Sequence, residues 1–190
     1  MEKVKIDIFA DYACPFVFNA YIWLNKIKNH YGDNLNINWK SFLLDSKDVN
    51  FDWKNPETLS SNRSLMSLIA GKAAKRQGED LFKRYHDKLL ISRNSQTGRI
   101  RLNDKPTLIK LANECDLDVD QFEFDLNNEQ VIDEVSSDHN EAVNEFGIFG
   151  TPTFVFENGN SIYLKTFIPP EQNAIQSFEH FLSISKDCSF

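Results

Sequence analysis

The sequence predicts an α/β protein in which a block of helices interrupts a single α/β unit. Three observations predict it. Residues 1–44 change hydrophobic period from two to helical spacing and back, the pattern of a β-α-β unit. Residues 51–146 carry helical periods with few strand signals. After Gly147 the period returns to two, and a final helical run closes the chain.

The first strand is "VKIDIFA" (Val4–Ala10), which alternates apolar and charged residues and is rich in strand formers. In "CPFVFNAYIWLNKIKNHYG", Phe16, Ala20, Trp23, Leu24 and Ile27 recur at helical spacing. Pro15 suits a first helical turn, where its missing N–H costs nothing, and Gly32 stops the helix. "LNINWKSFLL" (Leu35–Leu44) alternates again as the second strand, pairing parallel to the first through a right-handed crossover.

The loop "DSKDVNFDWKNPE" leads into the helical block. "PETLSSNRSLMSLIAGKAAKRQ" reads as one helix with Leu65, Leu68, Ile69 and Ala73 on one side. "GEDLFKRYHDKLLISRN" buries Leu81, Phe82, Tyr85, Leu89 and Leu90, and its charged residues form a solvated face. "NDKPTLIKLANEC" opens with Asn103 or Asp104 as cap ahead of Pro106. A short helix in "DVDQFEFDL" and a longer one in "EQVIDEVSSDHNEAVNEFG", ended by Gly147, complete the block. "TPTFVFENGNSIYLKTF" is a hairpin around Asn158-Gly159-Asn160, and "PPEQNAIQSFEHFLSIS" is the closing helix, with Pro170 near its start. The division is therefore a core of residues 1–50 and 147–190 and a helical insertion of residues 51–146.

Composition narrows the function. At 190 residues, 41% hydrophobic and 26% charged, the chain can bury a core without disulfide staples, and 16 Phe make that core aromatic. A net charge of -7 and the absence of long Lys/Arg blocks argue against nucleic acid and anionic membrane surfaces. No run approaches the roughly 18 apolar residues of a membrane span. The apolar part of "MEKVKIDIFADY" is short and broken by charges, unlike a secretory signal, so a cytoplasmic location is expected. Cys14, Cys115 and Cys188 are odd in number and widely spaced, which predicts free thiols in a reducing compartment. His30, His86, His139 and His180 show no metal spacing, and each is expected to be solvated or capping, with no metal bound.

The chemistry concentrates in "DYACPFVFNAY", where Cys14 stands between strand and helix. A cysteine at a helix start meets unpaired N–H groups and the positive end of the helix dipole. Both favour the thiolate, which is the attacking species. Phe16 offers no hydrogen-bond donor to strengthen the effect. Three residues on, where a dithiol enzyme carries its second cysteine, stands Val17. Attack by a neighbouring thiol reaches effective molarities on the order of 10⁵ M or more, so the distant Cys115 and Cys188 are poor substitutes. Monothiol chemistry remains. Either Cys14 forms a mixed disulfide that a second thiol resolves, or it activates a thiol cofactor without changing oxidation state.

Three features coincide: "CPF" at a helix head after the first strand, a helical block, and "GTPTFVF" (Gly150–Phe156) opening the second half. With them the chain resembles the DsbA-like branch of the thioredoxin superfamily, near FrnE-type oxidoreductases, 2-hydroxychromene-2-carboxylate isomerases and kappa-class glutathione transferases. The resemblance implies a thioredoxin-like fold with an inserted all-helical domain. It also implies a cis bond between Thr151 and Pro152, facing the cysteine, with the Thr151 backbone pairing to an extended peptide or to glutathione. The implied site is catalytic Cys14, with Pro15, Phe16, Val17, Thr151 and Pro152 around the substrate. Cys14-Pro15-Phe16-Val17 departs from the family's C-P-x-C, and the isomerase and kappa-class relatives carry Ser at the first position.

Three functions follow. The leading one is a thiol–disulfide oxidoreductase using Cys14 alone on a small thiol or on protein thiols and disulfides. The second is a glutathione-dependent isomerase or transferase, and the third a non-catalytic peptide-binding module. No tightly bound cofactor is expected; glutathione or another small thiol is the implied partner, and a homodimer stays open by likeness to the transferase branch. Around the motif, Asp11 is expected to cap the helix or hold a proton near Cys14. Tyr12, Phe16 and Phe18 belong to the core or to an apolar groove beside the sulfur. His139 and Asn140 lie on the helix leading toward Thr151-Pro152.

Overall fold

Alternation along Val4–Ala10 (β1) sets the layers of the protein, whose computed structural model describes residues 3–46 and 51–187. Ile6 and Ile8 point to one face of the sheet with Phe154 and Phe156. Phe9 points to the other with Val155. Both faces are therefore covered, as a two-sided α/β unit requires.

The elements run β1 (Val4–Ala10), α1 (Pro15–Tyr31), β2 (Leu35–Ser41), α2 (Pro56–Ser61), α3 (Leu65–Arg76), α4 (Glu79–Asn94), α5 (Lys105–Glu114), α6 (Val119–Asp125), α7 (Glu129–Phe146), β3 (Thr153–Phe156), β4 (Ser161–Tyr163) and α8 (Ala174–Asp187). The sheet order is β2-β1-β3-β4, with β1 parallel to β2 and the other two pairings antiparallel. This is a thioredoxin-like α/β fold with helices inserted between β2 and β3.

On the Ile6/Ile8 face, α1 and α8 bury Ala20, Trp23, Leu24, Ile27, Phe178 and Phe181. Trp23 packs on Phe178 and Phe181 (ring centroids 5.7 and 5.8 Å) and donates its Nε1–H to the Ala174 carbonyl (2.9 Å). On the Phe9 face lies α7, whose Ala142 joins Phe42, Ile148 and Val155. Lys40 of β2 ties the layers together, reaching Asp7 of β1 (3.1 Å) and Glu141 of α7 (2.6 Å). A third cluster joins the inserted helices to the start of α1. It runs from Leu65, Leu68 and Ile69 through Tyr85 and Leu89 to Tyr12, Cys14, Val17 and Tyr21.

Two boundaries differ from the sequence reading, and one expected cap bonds differently. The single helix expected over 56–77 is two, α2 and α3. Asn62 breaks it with extended backbone (ψ 133°), and its Oδ1 accepts from the N–H groups of Ser64 and Leu65 (3.0 Å each), a side-chain bond that competes with the helix ladder. Strand β2 ends at Ser41 rather than Leu44 because side chains take its N–H groups. Asp138 accepts from Ser41 (2.7 Å), His139 from Leu43 (3.2 Å) and Asp11 from Leu44 (3.0 Å). At the head of α5, Asp104 is the cap residue but makes no side-chain bond to the backbone; its carboxylate accepts from the Thr107 hydroxyl. Gly147 ends α7 in the left-handed region (φ 60°), where glycine carries no Cβ penalty.

Candidate active site

The site begins where β1 runs out. The Ala10–Cys14 segment turns back on itself, with the Cys14 N–H on the Asp11 carbonyl (2.9 Å) and the Ala13 N–H on Asp11 Oδ1 (2.8 Å). Asp11 is fully buried. Its second oxygen accepts from Leu44 N–H and from Ser64 Oγ (2.9 Å), linking β1, the end of β2 and the head of α3. Burial raises its carboxyl above the ordinary range, against three hydrogen bonds that favour the ion. Asp11 therefore neither caps α1 nor faces the thiol; it is the bracket that shapes the turn.

Cys14 itself is the N-cap residue of α1, with extended backbone (φ -83°, ψ 119°) and Pro15 in the first turn. Its thiol donates to the carbonyl oxygen of Thr151 at 3.2 Å. The Thr151–Pro152 peptide bond is cis. Thr151 is buried, its Oγ1 has no hydrogen-bond partner among the described residues, and Leu164 N–H closes on the Pro152 carbonyl (3.2 Å). The helix start and the Thr151-Pro152 loop thus meet at one sulfur.

The expected site residues divide sharply. Cys14, Thr151 and Pro152 are buried and adjacent, Pro15 is exposed, and Phe16 is half-buried at the surface of the cluster. Val17 has no exposed surface and packs into the core cluster that also holds Cys14. Tyr12 lines a small pocket with Trp39, Gly71 and His86 that does not include Cys14. It is buried against Gly71, and its hydroxyl meets His86 Nδ1 at 2.9 Å. His86, expected to be solvated, is buried among Tyr12, Tyr21, Trp39 and Phe82, and burial drives it down to about 3. His139 is engaged elsewhere: it takes Leu43 N–H, meets Ser46 Oγ (2.9 Å) and lies tilted against Phe42 (4.7 Å), while Asn140 is exposed. His30 and His180 are exposed. Cys14 and Cys115 are free; Cys115 is buried, which pushes its thiol up, and Cys188 lies outside the described residues.

Reading the sequence missed Lys165 and Tyr163. The β3–β4 register sets Tyr163 opposite Thr153, two residues from the cis bond. Lys165, two further on, carries its ammonium 5.5 Å from the Tyr163 ring centroid and 5.6 Å from that of Phe16. The neighbouring Tyr163 raises the Lys165 ammonium above its ordinary range, and Cys14 contributes in the same direction. The signal was available as a period-two pair in "SIYLK", which puts both side chains on one side of the hairpin.

Among the described residues no group of three or more His, Cys, Asp or Glu side chains could hold a metal, and no helix is long and apolar enough to cross a membrane. A cysteine heading the first helix, set against a cis-proline loop, with helices inserted between β2 and β3, defines the DsbA class of thioredoxin-fold proteins. The chain belongs to the DSBA-like thioredoxin domain family, whose pattern matches residues 5–176. It is 25% identical over 169 residues to an uncharacterised protein of Mycobacterium tuberculosis, covering 87% of this chain and 69% of that one. Its fold is similar to a probable DsbA oxidoreductase of Streptomyces coelicolor, with TM-score 0.69, 19% identity, and 95% and 90% of the two chains covered. It is also similar to the cytosolic disulfide reductase DsbM of Pseudomonas aeruginosa, solved with GSH, with TM-score 0.64, 16% identity, and 94% and 99% covered.

Proposed function

We propose that the protein is a thiol–disulfide oxidoreductase that works through Cys14 alone, exchanging a mixed disulfide with a small thiol such as glutathione. The contact between Cys14 Sγ and the Thr151 carbonyl carries this reading. In the resting thiol that carbonyl accepts the S–H. Once the proton leaves, the thiolate no longer donates, and the carbonyl is free to accept from a substrate N–H beside the sulfur under attack.

The exchange balances with two partners. The Cys14 thiolate attacks one sulfur of a disulfide R–S–S–R′; that bond breaks, Cys14–S–S–R forms, and R′S⁻ leaves with the electron pair and takes up a proton. A second thiol, R″SH, then attacks as thiolate, returns Cys14 to its reduced form and carries R away as R–S–S–R″. Val17 supplies no internal thiol for this step, so the second thiol comes from solution. Glutathione is the small thiol we favour, since a protein of the same fold, DsbM, has been solved with GSH. Free Cys14 and Cys115 suit a reducing compartment such as the cytoplasm.

The test is turnover of a glutathionylated peptide under excess reduced glutathione. Wild type and Cys115→Ser are expected to accelerate release of the peptide thiol, and Cys14→Ser to fall to the uncatalysed rate. Equal rates for wild type and Cys14→Ser would refute the proposal.

A further inference from the structure

Between the helix that Cys14 heads and the hairpin that carries the cis-proline loop stands a cation that the exchange reaction above does not use. Lys165 lies on the chain leaving β4, with its Nζ over the rings of both Phe16 and Tyr163. Phe16 belongs to the helix that Cys14 heads, and Tyr163 pairs with Thr153 beside the cis-proline loop. The ammonium thus bridges the two elements that form the site. Tyr163 is tightly seated: a Cβ on Gly150 would come within 2.9 Å of its ring. Phe149, largely exposed, packs against Tyr163 (5.1 Å) and extends the aromatic surface.

Lys165 is also available. Lys26, Lys40 and Lys72 close on Glu171, Asp7 with Glu141, and Asp138 respectively. No carboxylate among the described residues lies within ion-pair distance of Lys165, and it is exposed. The nearest acid along the chain, Glu171, closes instead on Lys26 (3.4 Å), and Asp11, close to Cys14 in sequence, is fully buried with both oxygens used. The whole chain carries -7, so at long range it repels anions. Within a Debye length, about 10 Å at ordinary ionic strength, the local charge decides.

We infer that Lys165 makes Cys14 selective for disulfides that carry a carboxylate close to the attacked sulfur. This rests on the monothiol exchange proposed above and names the substrate class of that site. The carboxylate pairs with Nζ while the aliphatic part of the ligand lies on Phe16 and Tyr163. The bond changes are those of the exchange itself: Cys14–S–S–R forms, the disulfide breaks, and the departing thiolate carries the electron pair.

Two small disulfides of opposite charge test it: dithiodiglycolate, which is anionic, and cystamine, which is cationic. The rate of adduct formation on Cys14 is followed by intact mass and assigned by peptide mapping, in wild type, Lys165→Gln, Lys165→Glu and Lys165→Arg. Comparing the anion-to-cation rate ratio between variants cancels the intrinsic difference between the two reagents. Lys165→Gln is expected to lower the ratio about fivefold, the size one exposed ion pair supports, and Lys165→Glu to lower it further. Lys165→Arg is expected to keep it, and added salt to compress it in wild type. An unchanged ratio in Lys165→Gln overturns the inference, including the case where both rates fall together, since Lys165 then acts on the sulfur and not on the substrate. Absence of any Cys14 adduct in wild type overturns the exchange reaction and this selectivity with it.

Discussion

The thiol of Cys14 lies 3.2 Å from the carbonyl oxygen of Thr151, across 137 positions of sequence. Each partner is fixed by separate local chemistry. Cys14 is placed by the Asp11 turn and the Pro15 helix start, Thr151 by the hairpin that pairs Thr153 with Tyr163. The inserted helices lie between these points in the chain, yet Leu65 and Leu68 of α3 share a core with Cys14 and Val17. The reactive corner is therefore set by both the α/β unit and the helical block.

Val17→Cys puts a second sulfur one helical turn from Cys14, on the buried face of α1. It is expected to confer dithiol activity, read as insulin reduction or turnover of glutathione disulfide, at a stability cost of about 1 kcal/mol for the smaller core side chain. A folded but inert double-cysteine protein would contradict the geometry of the site.

Thr151→Val replaces a buried hydroxyl that has no partner among the described residues by a methyl group of similar size. Removing an unpaired buried polar group is neutral or stabilising, by up to about 1 kcal/mol, so the melting temperature should hold or rise. Activity should persist, because the proposed role belongs to the Thr151 backbone. A drop in melting temperature would reveal a partner for the hydroxyl.

Gly150→Ala drives a Cβ to within 2.9 Å of the Tyr163 ring, which Phe149 holds from another side. Overpacking of this kind costs about 1–3 kcal/mol. Chemical denaturation should show that loss.

Stability should fall on acidification. Burial depresses His86 from 6.5 to about 3 in the folded protein. A base with a lowered folded value stabilises fully above its unfolded value and loses that contribution as pH falls toward the folded one. Taking about 6.5 for the unfolded histidine, the loss between pH 7 and pH 5 is about 2 kcal/mol. His139, also lowered by burial, adds in the same direction. Asp11 acts oppositely, since a carboxyl raised by burial favours folding when protonated. His86→Gln should flatten the pH dependence between pH 7 and pH 5; an equally steep curve would mean that His86 is not buried neutral.

The order of elements was legible because period carries it: Ile6, Ile8 and Phe9 alternate, and Phe16, Ala20, Leu24 and Ile27 repeat at helical spacing. Cys14, Thr151 and Pro152 were legible as a motif pair. What escaped was set by side chains acting on backbone. Asn62 cut one helix in two through local bonds that compete with the helix ladder, and Asp11, Asp138 and His139 stopped β2 early because each offers an acceptor that only tertiary packing brings into reach. His86 was missed because a histidine in a charged helical run shows no sign that Trp39, from strand β2, will cover it. Lys165 was hidden for a similar reason: its role depends on Phe16, a residue from the other half of the fold.

That the reaction belongs to Cys14 is tested most directly by exposing the native protein to glutathione disulfide and reading intact mass, with the adduct assigned by peptide mapping. One glutathione per chain on Cys14, formed ahead of Cys115, whose thiol burial pushes up, and removed by reduced thiol, is the expected result. Cys14 left unmodified while Cys115 reacts would contradict it.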